Sequence, residues 1–160
     1  MMNEATAKLN YDTACRFMKQ EAYLQAIEYF ERTGREKRFT PDTLRNMAWC
    51  QFRLAEEAIF KGTPSSAQER LKLAERLYRE AGKAFLQMRK GKQSVEVQER
   101  IDFRVKDCRK RISDIRCYRE FIERKEEFQE KLKDKSRKTI TQSGALPISA
   151  ILEIEDNSAS

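Results

Sequence analysis

A chain of 160 residues with five Gly, three Pro and 37% charged residues favours long helices over a sandwich or barrel. It holds no histidine, and its four cysteines, Cys15, Cys50, Cys108 and Cys117, form no CxxC pair; the usual zinc ligand sets are therefore excluded, and no metal or cofactor is expected. The formal charge of +7 is uneven: residues 89–138 carry 18 basic against 11 acidic groups, while residues 139–160 carry three acids and no base. An anionic partner is thus a question for one segment, not for the whole chain.

The cysteines read as reduced, small hydrophobes of a cytoplasmic or nuclear protein. Cys108 and Cys117, nine apart on one helix, point to roughly opposite sides and cannot pair. No apolar run reaches the ~20 residues needed to span a bilayer, so no membrane partner is expected.

The first helix is expected from about Glu4 to Met18, where Ala7, Tyr11, Ala14, Phe17 and Met18 recur at helical spacing. A bend at Lys19–Ala22 leads to a second helix, about Tyr23 to Lys37. In Phe39-Thr-Pro-Asp, Thr40 reads as an N-cap and Pro41 as the first position of a third helix ending near Phe60. Gly62-Thr-Pro-Ser-Ser breaks the chain. Thr63 or Ser65 then caps a fourth helix over about 65–90, in which Gly82 suggests a close helix crossing. Ser94 caps the last element. From Val95 to about Lys135 there is neither Gly nor Pro, which predicts one long helix or two nearly continuous ones. Its apolar stripe thins beyond Phe121, so that half projects into solvent or meets a partner, with self-association through a coiled coil as one form. After Ser136 the periodicity is lost, and a flexible acidic tail is expected. The expected organisation is helical hairpins over 1–92, a basic amphipathic helix over 93–135 and the tail over 136–160.

Ala26 and Phe30, a small residue and then an aromatic one turn on, recur as Ala74 and Tyr78. Two helices per unit with this pair in the second resembles the tetratricopeptide repeat family. Residues 7–40 match its 34-residue length, with Ala14, Phe17, Tyr23, Ala26 and Phe30 on its small and aromatic positions. Asn10, Glu21, Thr33 and Arg38 depart from the family's tryptophan, bend glycine, alanine and proline. In a second unit Ala48 takes the small position of the first helix, while Leu71, Ala74, Tyr78 and Ala81 take those of the second. Ala48 to Ala74 is 26 residues where Ala14 to Ala26 is 12, so each helix of that hairpin gains about two turns.

The resemblance implies an all-α right-handed superhelical stack of antiparallel hairpins whose first helices line a groove for a peptide or helix of a protein partner. By position that groove presents Lys8, Tyr11, Cys15, Lys19, Arg45, Asn46, Trp49 and Arg53. Members that clamp chaperone carboxy-termini use Lys and Asn where this chain has Tyr11 and Cys15; only Asn46 agrees, which disfavours that role. Trp49, the single tryptophan, is either an interface anchor or core. Two repeats fall short of the three usual for a free-standing solenoid, so the long helix or a partner must close the core.

Catalysis finds no footing: there is no His, no Gly-rich phosphate loop, no GxSxG and no HExxH. A second reading is nucleic-acid binding through a stripe of Arg104, Arg109, Lys110, Arg111, Arg116 and Arg119. Acids at Asp102, Asp107, Asp114 and Glu120 interrupt that stripe. In the tail, Ile151, Leu152 and Ile154 with Glu155 and Asp156 resemble a SUMO-interacting motif, a strand that adds to a sheet edge; docking onto the chain's own groove and plain disorder are the alternatives.

Overall fold

The computed structural model describes residues 3–34 and 39–143, with side chains up to residue 138. Those residues form five helices and no strand: α1 (Glu4–Lys19), α2 (Tyr23–Arg32), α3 (Thr40–Phe60), α4 (Pro64–Arg89) and α5 (Val95–Ser143). The all-α expectation is met. Two compact units follow from the contacts, residues 1–117 and residues from Tyr118 onward.

In the first unit each turn has a local cause. Asn3 caps α1, its Oδ1 accepting from the Thr6 N–H at 2.8 Å. At the far end the Ala22 N–H donates to the Phe17 carbonyl and the Glu21 N–H to that of Met18, a Schellman cap that requires a left-handed residue at Glu21, φ +59°. The α3–α4 bend repeats it: Thr63 N–H to Ala58 and Gly62 N–H to Ile59, with Gly62 at φ +77°. One bend uses glycine and the other a strained glutamate.

Three expected boundaries move. α2 stops at Arg32, with Thr33 as its C-cap, rather than near Lys37. Phe39, not Thr40, occupies the N-cap of α3 and makes no side-chain cap. Thr63 does precede α4, but its hydroxyl donates back to the Ala58 carbonyl at 3.1 Å and caps nothing. Ser94 behaves as expected, its Oγ accepting from the Val97 N–H at 3.4 Å.

Packing follows the small-then-aromatic pattern. Ala14, Ala26, Ala48 and Ala74 are fully buried, and Phe30 and Tyr78 fill the space a turn beyond Ala26 and Ala74. The first core cluster joins Ala14, Tyr23, Ala26, Ile27, Phe30 and Cys50, roofed by Tyr11, Phe17, Met47 and Leu54. Tyr11 lies edge-on to Phe30 and Phe17 stacks on Tyr29.

Pairs across helices fix direction. Asp42 with Arg104, Arg45 with Asp107 and Trp49 with Arg111 are each 62 residues apart, so α5 runs parallel to α3. Tyr11 with Asn46 is 35 apart, and Cys15 lies the same distance along the chain from its electrostatic neighbour Cys50, so α1 also runs parallel to α3. Glu75 with Arg116 and Arg89 with Asp102 advance in opposite senses, which makes α4 and α5 antiparallel. The step from α3 to α5 exceeds that from α1 to α3 because α3 and α4, at 21 and 26 residues, are longer than α1 and α2, at 16 and 10.

In the second unit α5 continues to Ser143 instead of ending near Lys135. Phe121 and Phe128 are 61% and 63% exposed there. The part of the expected tail from residue 144 on lies outside the described residues.

Glu21→Gly is expected to stabilise the protein by about 1 kcal/mol and Gly62→Ala to destabilise it by a similar amount, since only the backbone conformation changes. A Cβ at Gly82 would meet Cys108 Cβ at 3.9 Å, an ordinary contact, so Gly82→Ala should gain up to about 1 kcal/mol of helix propensity. Urea unfolding midpoints check all three; a loss on Gly82→Ala would mean that the helix crossing has no room for the added methyl group.

Candidate functional site

The residues proposed to line a groove do converge. Tyr11 accepts a hydrogen bond from Asn46 Nδ2 at 3.2 Å and stacks on Phe39. Burial and the neighbouring Cys15 raise the pKa of the Tyr11 hydroxyl, so it stays protonated. Cys15 is half-buried behind it, and burial raises its thiol too. Arg53 donates from Nε to Tyr23 Oη at 3.2 Å, pairs with Glu56 at 3.3 Å and lies near the Trp49 ring. Trp49 is half-buried and stacks on Phe52: it is neither free anchor nor sealed core. Lys8 and Lys19 are exposed, and Lys19 acts on Cys15 only through its charge.

The face is not open. Arg45 meets Asp107 through two nitrogens, Nε at 3.1 Å and a terminal nitrogen at 3.0 Å, and both side chains are mostly buried. Both nitrogens converge on one carboxylate oxygen, Oδ2, a charge-assisted contact stronger than a neutral hydrogen bond. The Arg111 guanidinium lies 4.6 Å from the Trp49 ring centroid, within cation–π range. What remains between α1, α3, α4 and α5 is a cavity of about 260 Å³ lined by Met18, Arg45, Asn46, Trp49, Tyr78, Asp107 and Arg111. That is far short of a helix ~10 Å across.

The same contacts break up the basic stripe. Arg104 pairs with Asp42 at 3.4 Å, Arg111 lies on Trp49, and Arg116 pairs with Glu75 at 3.0 Å. Arg109 and Lys110 point outward, and Arg119, in the second unit, is half-buried. Two of the acids that looked like interruptions are partners: Asp107 also reaches Arg111 at 3.8 Å, and Asp102 meets Arg89 at 3.0 Å. The SUMO-like residues Ile151, Leu152, Ile154, Glu155 and Asp156 lie outside the described residues. Among the described residues no cluster of three or more His, Cys, Asp or Glu could hold a metal ion, and no helix is long and apolar enough to cross a membrane.

Sequence reasoning missed the larger concavity. A groove of about 1090 Å³ runs between α2, the start of α3 and the end of α4, with Phe30, Pro41, Leu44, Met47, Ala84 and Met88 on its walls. Thr43 also lines it; this residue is 4% exposed, and its hydroxyl oxygen has no hydrogen-bond partner. The available signal was Ala84 and Met88, four apart on α4 and flanking the buried Phe85 stripe.

Arg111→Ala should uncover Trp49: its emission is expected to shift to the red and to become more sensitive to acrylamide, with helicity unchanged. Unaltered quenching would show that the cation does not cover the ring in solution. Burial pushes the Cys50 thiol up to about 12 and the Cys108 thiol up to about 11, from an ordinary 9.0. Between pH 9 and 12 the unfolded chain therefore binds fewer protons than the folded one, and stability falls with rising pH in that window. Urea midpoints across it should drop less steeply in a Cys50→Ala, Cys108→Ala variant. No family model matches the chain, and neither the curated proteins nor the solved structures yield a significant match.

Proposed function

We propose that this chain is a non-enzymatic scaffold built from tetratricopeptide-like helical hairpins, and that it binds a peptide or helix of another protein. The helix directions support the repeat reading: α1, α3 and α5 run parallel in steps along the chain, with α2 and α4 returning between them. On this reading α5 supplies the first helix of a third unit and takes the place of a groove ligand on α3, which answers the need for a closing element.

The observation that carries the function is the apolar groove of about 1090 Å³ between α2, α3 and α4. Phe30, Pro41, Leu44, Met47, Ala84 and Met88 make it largely apolar, with Glu31, Glu80 and Gln87 also on its walls, and the Thr43 hydroxyl oxygen is buried without a partner. The binding surface is thereby moved from the α1–α3 face to the side of the hairpins opposite α5.

Nucleic-acid binding is the second reading, and the pairing of Arg104, Arg111 and Arg116 with groups on α3 and α4 leaves it less cationic surface than the sequence suggested. Ala84→Arg with Met88→Arg charges the groove wall and should weaken partner capture by the full chain by at least about ten-fold, equal to 1.4 kcal/mol. Arg109→Glu with Lys110→Glu should leave capture intact. The opposite pattern, with nucleic acid lost only from the second variant, would favour the basic-helix reading.

A further inference from the structure

Beyond Tyr118, α5 is divided by charge. At about 100° per helical residue, Phe121, Phe128 and Leu132 fall within about 40° of one another, and they are 61%, 63% and 42% exposed. Lys125 and Lys135 lie along the same seam, and Arg124, Lys131 and Lys138 form a row on one side of it. The acids of this stretch, Glu123, Glu126, Glu127, Glu130 and Asp134, are all set at least about 120° round the helix from the middle of the seam. Phe128 and Leu132, with Lys131, Lys135 and Lys138 and with Asp134 at the edge, line a shallow cavity of about 420 Å³.

The width of the seam selects the occupant. An apolar arc of about 100° or more suits a core or a lipid surface, whereas a narrow seam suits one other helix. Positions 121, 125, 128, 132 and 135 alternate at four- and three-residue steps, the spacing of a coiled-coil interface. A second copy of the helix fits it poorly. Side by side and parallel, two copies set Lys125 and Lys135 against their own counterparts on the seam. Antiparallel, they set the row of Arg124, Lys131 and Lys138 against itself, like charge against like. Arg124 is 82% exposed and reaches Glu120 only at 4.0 Å, so the row keeps its cationic character.

We propose that the distal half of α5 binds a helix of another protein, one with an apolar seam and acidic flanks. Its apolar residues pack on Phe121, Phe128 and Leu132, and its carboxylates meet Lys125 on the seam and Arg124, Lys131 and Lys138 beside it. Opposite charges along such flanks set partner choice and orientation. The proposal does not depend on what the groove between α2, α3 and α4 binds.

The test titrates the full-length chain into a labelled synthetic peptide of about three heptads, with Leu at the a and d positions and Glu at e and g. A control peptide carries Lys in place of Glu. The acidic peptide is expected to bind at least about ten-fold more tightly than the control, and less tightly as salt is raised. Its affinity should fall at least about ten-fold in a Phe121→Ala, Phe128→Ala variant and in a Lys131→Glu, Lys138→Glu variant. All four side chains are exposed, and circular dichroism checks that helicity is kept. Ala84→Arg with Met88→Arg should leave this binding unchanged. No binding of the acidic peptide, or equal binding of the control, would overturn the proposal. Loss of binding in the Ala84, Met88 variant alone would also overturn it, by placing the peptide in the groove. Two further results count against it: a dimer of the chain alone that Phe121→Ala, Phe128→Ala dissociates, and capture of anionic vesicles or duplex DNA, but not of the peptide, through the same residues.

Discussion

Alanine at the helix crossings is the constraint on which the structure depends. Ala14, Ala26, Ala48 and Ala74 have no exposed surface, and the absence of side-chain bulk there lets neighbouring helices approach until Phe30 and Tyr78 fill the adjoining space. Interiors packed to this density do not absorb added methylenes without strain. The contacts of α3 with α1 and α5 are made by longer side chains, Asn46 to Tyr11, Arg45 to Asp107 and Arg111 over Trp49.

Those polar contacts decide what the inner face can do. Arg45 with Asp107 and Arg111 on Trp49 are mostly shielded from water, where charge-assisted contacts are stronger and removal of one partner is costly. They hold α5 in register on α3 and leave only a small cavity. The same helix that looked like a separate cationic element therefore spends three of its arginines, Arg104, Arg111 and Arg116, on the hairpins beneath it. The larger concavity among the described residues lies elsewhere, beside α2.

Local structure was largely legible in the sequence. Ala26 and Phe30, Ala74 and Tyr78, Pro41 and Gly62 each act within one or two turns, so spacing and backbone preference were enough to place the five helices, the hairpin connections and the buried stripe. Errors fell where side-chain chemistry has local alternatives: the Thr63 hydroxyl bonds back to Ala58 instead of capping α4, and the cap expected at Thr40 shifts to Phe39. Glu21 was visible as a departure from glycine, and its positive φ shows that the bend geometry overrides the residue's own preference.

What the sequence by itself determined was the helical class, the helix pairs and the identity of the core positions, because these arise from periodicity and local backbone energetics. Tertiary structure alone decided that Asp107 is a partner of Arg45 rather than an interruption of a basic stripe. It also decided that Trp49 lies beneath Arg111, and that the open concavity is beside α2 and not along α1 and α3. The reason is distance along the chain: these contacts join residues 62 apart, and one-dimensional spacing says nothing about which of many charged groups a helix will meet until its neighbours are packed against it.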